Sequence, residues 1–218
     1  MLKINSIWIS VSHLLLIMKK SISLFLLILV FIAAVVRAET AEEWREKGVS
    51  AFEVGFYDVA ITCFKKAVAI DPNDSESLLN IGIAYSKKRK TKEAISYYQK
   101  TIAADPNSAE AHYHLGTAYN EKGNVDKAIS SLKNAVNLDD NNADAHALLG
   151  DLYLRKALKS LAADHIYKAG LLYIKQGHRE SSLFAYDVLK EANSKELEQS
   201  LFEKLHPELK QKKSEPSK

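Results

Sequence analysis

A short segment occurs three times in this chain at a constant interval. The first copy reads DPNDSESLLNIGIAY from Asp71, the second reads DPNSAEAHYHLGTAY from Asp105, and a looser third copy reads DDNNADAHALLGDLY from Asp139, so the starts are 34 apart. A fixed period of this length indicates an array of small units, because one such unit cannot bury a hydrophobic face alone. The repeat therefore restricts the fold to units that stack on one another.

Each unit reads as two amphipathic helices joined by a short turn. Eight glycines and four prolines in 218 residues are few for a sheet-rich fold with many tight turns. Turns are predicted at Gly55-Phe56, Arg89-Lys90 and Gly123-Asn124. Helix starts are predicted at residues that cap helix N-termini well, again 34 apart: Thr40, Asp74, Ser108 and Asn142.

Small and large residues also recur in fixed columns of the repeat. The columns are Gly48, Gly82, Gly116 and Gly150; Ala60, Ala94, Ala128 and Ala162; and Phe64, Tyr98, Leu132 and Ile166. We expect the small residues to let the two helices of a unit approach closely. The large residues are expected to fill the space towards the next unit.

Six residues of the first unit resemble the pattern of the tetratricopeptide repeat: Trp44, Gly48, Ala60, Phe64, Ala67 and Pro72. The resemblance covers about residues 41–176, in units 1 to 4 at 41–74, 75–108, 109–142 and 143–176. It implies an all-α fold, a right-handed superhelix of helical hairpins. In this family the concave face is built from the first helix of each unit and typically binds a peptide or a partner protein.

The fourth unit departs from the pattern. It lacks a closing glycine or proline, and residues 158–177 read as one long helix. The same stretch also fits the start of a fifth unit through Gly170, Tyr173, Gly177 and Tyr186, so the register after Ala157 has two solutions. Residues 177–206 are expected to form two more helices, as a C-terminal cap or a divergent fifth repeat.

Residues 1–38 are predicted to be an export signal. Lys19 and Lys20 precede an uninterrupted apolar run from Leu24 to Val36, and Ala38 offers a small-residue cleavage site. We expect Met18 to be the true start and the protein to be periplasmic. The alternative is an uncleaved helix that anchors the protein in the inner membrane.

The charge distribution argues against nucleic-acid binding. The net charge is +3, but residues 1–38 hold four basic and no acidic residues, which leaves 26 basic and 27 acidic side chains after them. No basic stripe suited to phosphates remains. Residues 207–218 are predicted to be a disordered basic tail.

The family resemblance places the floor of the groove at the second, fifth, ninth and twelfth positions of each unit. The residues expected to contact a partner are Arg45, Val49, Phe52, Leu79, Ile83, Ser86, Tyr113, Thr117, Asn120, Ala147, Asp151 and Leu154. Their mixed apolar and polar character suits an extended or helical peptide with apolar anchors. On this reading, replacing Leu79 and Tyr113 by alanine weakens binding and leaves the unfolding midpoint nearly unchanged.

Several other functions are not expected. The chaperone-binding members of the family bind carboxylates through a clamp of basic and amide residues. The matching positions here hold Arg45, Val49, Asn80, Glu110 and His114, of which only Arg45 and Asn80 could serve. His112 and His114 lie two apart on a helix and point to different faces, whereas His146 shares a column with His112 and could approach it. Cys63 is expected to be a buried core residue. No catalytic motif, metal site or cofactor is predicted.

These features together predict an exported scaffold that binds an envelope protein and assists assembly of a complex. The alternative is a structural subunit of such a complex held by an uncleaved N-terminal helix.

Overall fold

The computed structural model describes residues 25–28 and 39–206. Residues 25–28 are helical and exposed, and the described residues contain no strand. The rest of the predicted export signal and the predicted tail at 207–218 lie outside the described residues. Ten helices follow one another through residues 39–206: α1 (Ala41–Glu53), α2 (Tyr57–Ile70), α3 (Ser75–Lys87), α4 (Thr91–Ala104), α5 (Ala109–Glu121), α6 (Val125–Leu138), α7 (Ala143–Arg155), α8 (Lys159–Gln176), α9 (Arg179–Ala192) and α10 (Lys195–Leu205).

The four predicted helix caps are confirmed. Glu43 N donates to Thr40 Oγ1 at 3.1 Å, and Thr40 N donates to a Glu43 carboxylate oxygen at 3.0 Å, which completes a capping box. The side chains of Asp74, Ser108 and Asn142 likewise each accept a hydrogen bond from the backbone N–H three residues later. The first helix of every unit thus begins where its local sequence satisfies the free amides of its first turn.

The turns inside the units reverse the chain through one left-handed residue. That residue is Gly55 in unit 1 and Gly123 in unit 3, with φ of 83° and 74°. Units 2 and 4 use Arg89 and Ala157 instead, with φ of 58° and 59°. The three predicted turns are confirmed. The fourth turn, at Ala157, was not predicted, because no glycine marks it in the sequence.

The glycine column lets a large side chain of the second helix lie directly on the first helix of the same unit. A Cβ atom added at Gly48 would lie 2.5 Å from the ring of Phe64, and one at Gly116 would lie 2.6 Å from Cγ of Leu132. The expected close approach within a unit is therefore correct. Phe64 also packs with Ile81 of unit 2. Its side chain thus fills the space between the two helices of its own unit and the space towards the next unit.

Helix α8 has contacts that correspond to both possible registers. Near its middle, Ile166 lies over Gly150 of α7, as the second helix of unit 4 requires. One turn later, a Cβ at Gly170 would lie 2.6 Å from Leu201 of α10 and 3.4 Å from Ala185 of α9. The helix therefore closes unit 4 and begins a fifth helical pair with α9, on which α10 packs as the last helix.

The buried side chains of the described residues form four clusters along the units, and half-buried residues such as Tyr85 and Tyr119 each pack against two of them. Cys63 is buried at 8% exposure, as expected from its apolar neighbours.

Among residues 25–28 and 39–206, none of the helices has the length and hydrophobicity needed to cross a bilayer.

Candidate partner-binding groove

Four predicted contact residues line one cavity, called cavity A, of about 630 Å³ between α3, α4 and α5. These four are Ile83, Ser86, Tyr113 and Thr117. The remaining lining residues are Lys87, Arg89, Thr91, Tyr98, His114 and Glu121. The cavity joins the first helices of units 2 and 3, the surface that the sequence predicts as the groove.

Aromatic rings form the base of cavity A. Tyr98 is 1% exposed and stacks on the imidazole of His114 with ring centres 5.5 Å apart, and Tyr113 lies 5.2 Å from the same imidazole. Burial lowers the pKa of His114, although its Nε2 lies 3.6 Å from a carboxylate oxygen of Glu110. The imidazole is therefore neutral at pH 7, and it offers a hydrogen bond rather than a charge.

The rim of cavity A carries more positive than negative charge. Lys87 and Arg89 contribute two cations, and Glu121 contributes one carboxylate, which accepts a hydrogen bond from Thr91 Oγ1 at 3.3 Å. The cavity can thus hold an aromatic or aliphatic side chain against its base and polar groups at its rim.

A second cavity, called cavity B, of about 390 Å³ lies between α7, α8 and α9. Two predicted contact residues, Ala147 and Asp151, line it. The other lining residues are Ile166, Ala169, Tyr173, Glu180, Ser181, Phe184, Ala185 and Val188. The floor is apolar and deeply buried, since Ile166, Ala169 and Ala185 are at most 4% exposed.

The residues of α9 in cavity B were not predicted. One sequence signal could have indicated them: Phe184 stands one full repeat period after Gly150, so a large aromatic residue replaces the glycine of the column. The glycine column at period 34 therefore ends at Gly150, and the next glycine under a large side chain, Gly170 under Leu201, is out of that register. Phe184 is 71% exposed.

The other six predicted contact residues lie outside both cavities. Nη1 of Arg45 lies 3.2 Å from Oδ1 of Asp74 and 3.3 Å from Oε2 of Glu76, and the Arg45 guanidinium also pairs with Glu42. Val49 and Phe52 are half-buried against the core of unit 1. The list is completed by Leu79, Asn120 and Leu154.

These last three residues are engaged by contacts within the chain. Leu79 is 8% exposed and packs between α3 and α5 with Leu115. Oδ1 of Asn120 accepts a hydrogen bond from Nη1 of Arg155 at 2.7 Å, and Leu154 is half-buried against the core of unit 4. The side chain of Leu79 is therefore part of the core, which argues against the expectation that replacing Leu79 and Tyr113 together leaves the unfolding midpoint nearly unchanged.

A buried histidine pair joins α7 to α8. Nδ1 of His146 lies 2.9 Å from Nδ1 of His165, and His146 is 4% exposed. Nε2 of His146 lies 3.3 Å from Asp140 Oδ1, outside hydrogen-bonding geometry. The sequence suggested His112 as the neighbour of His146, but His112 Nε2 instead lies 3.2 Å from the carbonyl of Pro106. His165 was missed because it lies on a different helix and in a different column of the repeat.

Neither a carboxylate clamp nor a metal centre is assembled in the groove of the described chain. The guanidinium of Arg45 is already surrounded by three carboxylates. Within residues 25–28 and 39–206, no three His, Cys, Asp or Glu side chains are grouped so that they could hold a metal ion.

Comparison with known proteins identifies the family. Residues 45–109 and 87–152 each match a family model of the tetratricopeptide repeat. A search of the curated proteins finds no significant match.

Solved structures give the same result. MamA from Desulfovibrio magneticus RS-1, residues 41 to the end, is 30% identical over 62% of this chain and 77% of that chain, with a TM-score of 0.56. Another MamA structure is 29% identical over 83% of this chain and 98% of that chain, with a TM-score of 0.62.

The first tetratricopeptide repeat domain of Spaghetti (RPAP3), solved with the HSP90 peptide SRMEEVD, is 26% identical over 54% of this chain and 94% of that chain, with a TM-score of 0.53. The residues matched by the family models, 45–109 and 87–152, contain paired helices and the glycine column of the repeat. The chain belongs to the tetratricopeptide-repeat family and has its fold, a right-handed superhelix of helical hairpins.

Proposed function

We propose that this protein is an exported scaffold that binds a peptide, or an extended segment of a partner protein, in the groove formed by its first helices. One observation carries the proposal: Ile83, Ser86, Tyr113 and Thr117, chosen from family positions alone, line a single cavity across two units. A concave site with an aromatic base and a polar rim suits side chains of an extended segment.

A structural relative supports binding of a peptide. The Spaghetti domain was solved with a peptide bound, and this chain spans most of that domain's length. The peptide on this chain is expected to be of a different kind, because Arg45 is engaged by Glu42, Asp74 and Glu76. No catalytic role is proposed.

Export and a role in assembling an envelope complex are the second part of the proposal. The apolar segment from Leu24 to Val36 behind Lys19 and Lys20 supports export. Alkaline extraction of membranes tests this part: a cleaved protein is released into the soluble fraction, and a protein with an uncleaved anchor remains in the pellet. Mass spectrometry of the released protein should find Glu39 at its N-terminus.

Site-specific photo-crosslinking tests the groove. A benzoylphenylalanine residue is placed in the full chain at Thr117 in cavity A or, as a matched control, at Ser130 on the outer surface of α6, away from both cavities. Irradiation of intact cells should yield a discrete adduct from position 117 and not from position 130. Equal adducts from both positions would show that the partner does not use the groove.

A further inference from the structure

Cavity B has a chemistry distinct from that of cavity A, and it indicates one feature of the partner. We propose that cavity B binds a bulky apolar side chain of the partner that is followed by a lysine or an arginine. The proposal rests on the proposed function, since it describes part of the segment that the groove would bind.

The cavity exists because a small residue stands at one position of the repeat. Ala147 occupies the column that holds Leu79 in unit 2 and Tyr113 in unit 3. With only a methyl group there, the space above Ile166 and Ala169 stays open. A volume of about 390 Å³ lies near the lower end of the range for ligand pockets, so it suits a side chain rather than a helix.

Helix α9 contributes three apolar residues to the wall of cavity B, Phe184, Ala185 and Val188. Phe184 is the most exposed of the large hydrophobic residues in the described chain, at 71%, and Val188 lies one turn further along the same helix. Val188 is half-buried, so Phe184 is the exposed apolar residue of this wall. An exposed aromatic residue beside an apolar cavity is typical of an interaction site, where aromatic residues often dominate the binding energy. The partner side chain is therefore expected to be apolar and large.

The charge around cavity B is negative. Asp151 and Glu180 are exposed lining residues, and none of the ion pairs among residues 39–206 involves either of them. No lysine or arginine of the described chain lines this cavity, whereas Lys87 and Arg89 line cavity A. A cation beside the apolar anchor would meet two carboxylates, which gives the site its selectivity.

Methyl NMR of the full chain, labelled at alanine, isoleucine and valine methyls, tests the proposal with four synthetic peptides. The peptides are GSGFKGSG, GSGFSGSG, GSGFEGSG and GSGGKGSG. The first should shift the signals of Ala147, Ile166, Ala185 and Val188, and it should bind about fivefold more tightly than the second, with the third weaker still. The fourth lacks the anchor and should shift none of these signals.

Variants separate the anchor from the charge. Asp151→Asn with Glu180→Gln should bring the first three peptides to equal affinity, while Asp164→Asn with Glu46→Gln, which removes the same charge from exposed positions outside cavity B, should leave their order unchanged. Ala147→Tyr fills the cavity with the side chain of unit 3 and should abolish the shifts. Phe184→Ser alters only an exposed side chain and should weaken all three phenylalanine peptides alike.

The outcomes distinguish this proposal from the proposed function. Equal affinity of the first three peptides for the unmodified chain would overturn the charge selectivity, and absence of shifts with all four would overturn the anchor site. Either result leaves the crosslink from position 117 unchanged. Loss of that crosslink, with the peptide order as expected, would overturn the proposed use of cavity A alone.

Discussion

Gly116 shows at the scale of one residue why the repeat keeps its glycine column. Alanine is favoured over glycine inside a helix by about 0.5–1 kcal/mol, whereas overpacking a core costs about 1–3 kcal/mol. A Cβ at position 116 would lie 2.6 Å from the branch carbon of Leu132, which is fully buried, and 3.2 Å from the carbonyl oxygen of Ala128. Overpacking therefore outweighs helix propensity, and Gly116→Ala should lower the free energy of unfolding by about 1–2 kcal/mol in urea titrations.

A double-mutant cycle provides the control. Leu132→Ala removes the side chain that the new Cβ would meet, so Gly116→Ala should be neutral or slightly stabilising in that background. Additive effects of the two substitutions would show that the loss at position 116 has another cause.

Leu79 and Tyr113 occupy the same column of the repeat but are predicted to respond differently to truncation. Leu79 is 8% exposed in the core between α3 and α5, so Leu79→Ala should cost about 2–5 kcal/mol of stability. Tyr113 lines cavity A and is only half-buried, so Tyr113→Ala should reduce the yield of the Thr117 crosslink with a smaller loss of stability. Thermal unfolding followed by circular dichroism checks both changes, and equal losses would show that Tyr113 belongs to the core as well.

At the scale of the helix, the sequence was most informative where the signal is local. Thr40, Asp74, Ser108 and Asn142 cap their helices through bonds to the third residue beyond them, so the interaction is contained in one helical turn. The burial of Leu79 could not be read in this way, because it depends on how closely α5 approaches α3.

The histidine pair between α7 and α8 should make the protein less stable in acid. Burial lowers the pKa values of both His146 and His165 below the ordinary value of 6.5. The unfolded chain therefore binds protons more readily, and the stability is present above pH 6.5 and lost as the pH falls towards the folded-state pKa values. A second added proton would also place N–H groups on both facing nitrogens, which are 2.9 Å apart. Urea titrations at pH 7.5 and 5.5 should show this loss.

A matched variant isolates the pair from the other titrating groups. His146→Leu with His165→Tyr installs the side chains that Leu78 and Tyr97 place at the same positions of unit 2. The variant should lose less stability than the unmodified chain between these pH values. His114, whose pKa is also lowered by burial, is present in both chains and cancels in the comparison. If the variant and the unmodified chain lose the same stability between pH 7.5 and 5.5, the acid sensitivity arises elsewhere.

At the scale of the whole molecule, α8 determines where the regular array ends. The two registers that the sequence allowed after Ala157 correspond to two faces of this one helix, one over Gly150 and the other at Gly170. The repeat period alone could not decide between them, because both sets of contacts exist. Cavity B lies at this change of register, between α7 and α9.

The C-terminal helix should protect its neighbours far more than it protects the N-terminal units. Each helix packs mainly on those next to it, and α10 packs on α8 and α9 through the fully buried Leu201. In such a linear stack, stability is the sum of units and their nearest interfaces. Leu201→Ala should therefore accelerate amide hydrogen exchange in α8, α9 and α10 and leave α1 to α4 unchanged, as mass spectrometry of peptic fragments would detect.

A nearby surface change serves as the reference for that measurement. Lys195→Ala alters an exposed side chain at the start of α10 and should leave the exchange of all ten helices close to that of the unmodified chain. Acceleration by Leu201→Ala of the same size in α1 as in α10 would mean that the helices open as one cooperative body. An acceleration of exchange that is largest in α10 and decreases helix by helix towards α1 would demonstrate nearest-neighbour coupling. Each interface then transmits only part of the lost free energy to the next unit.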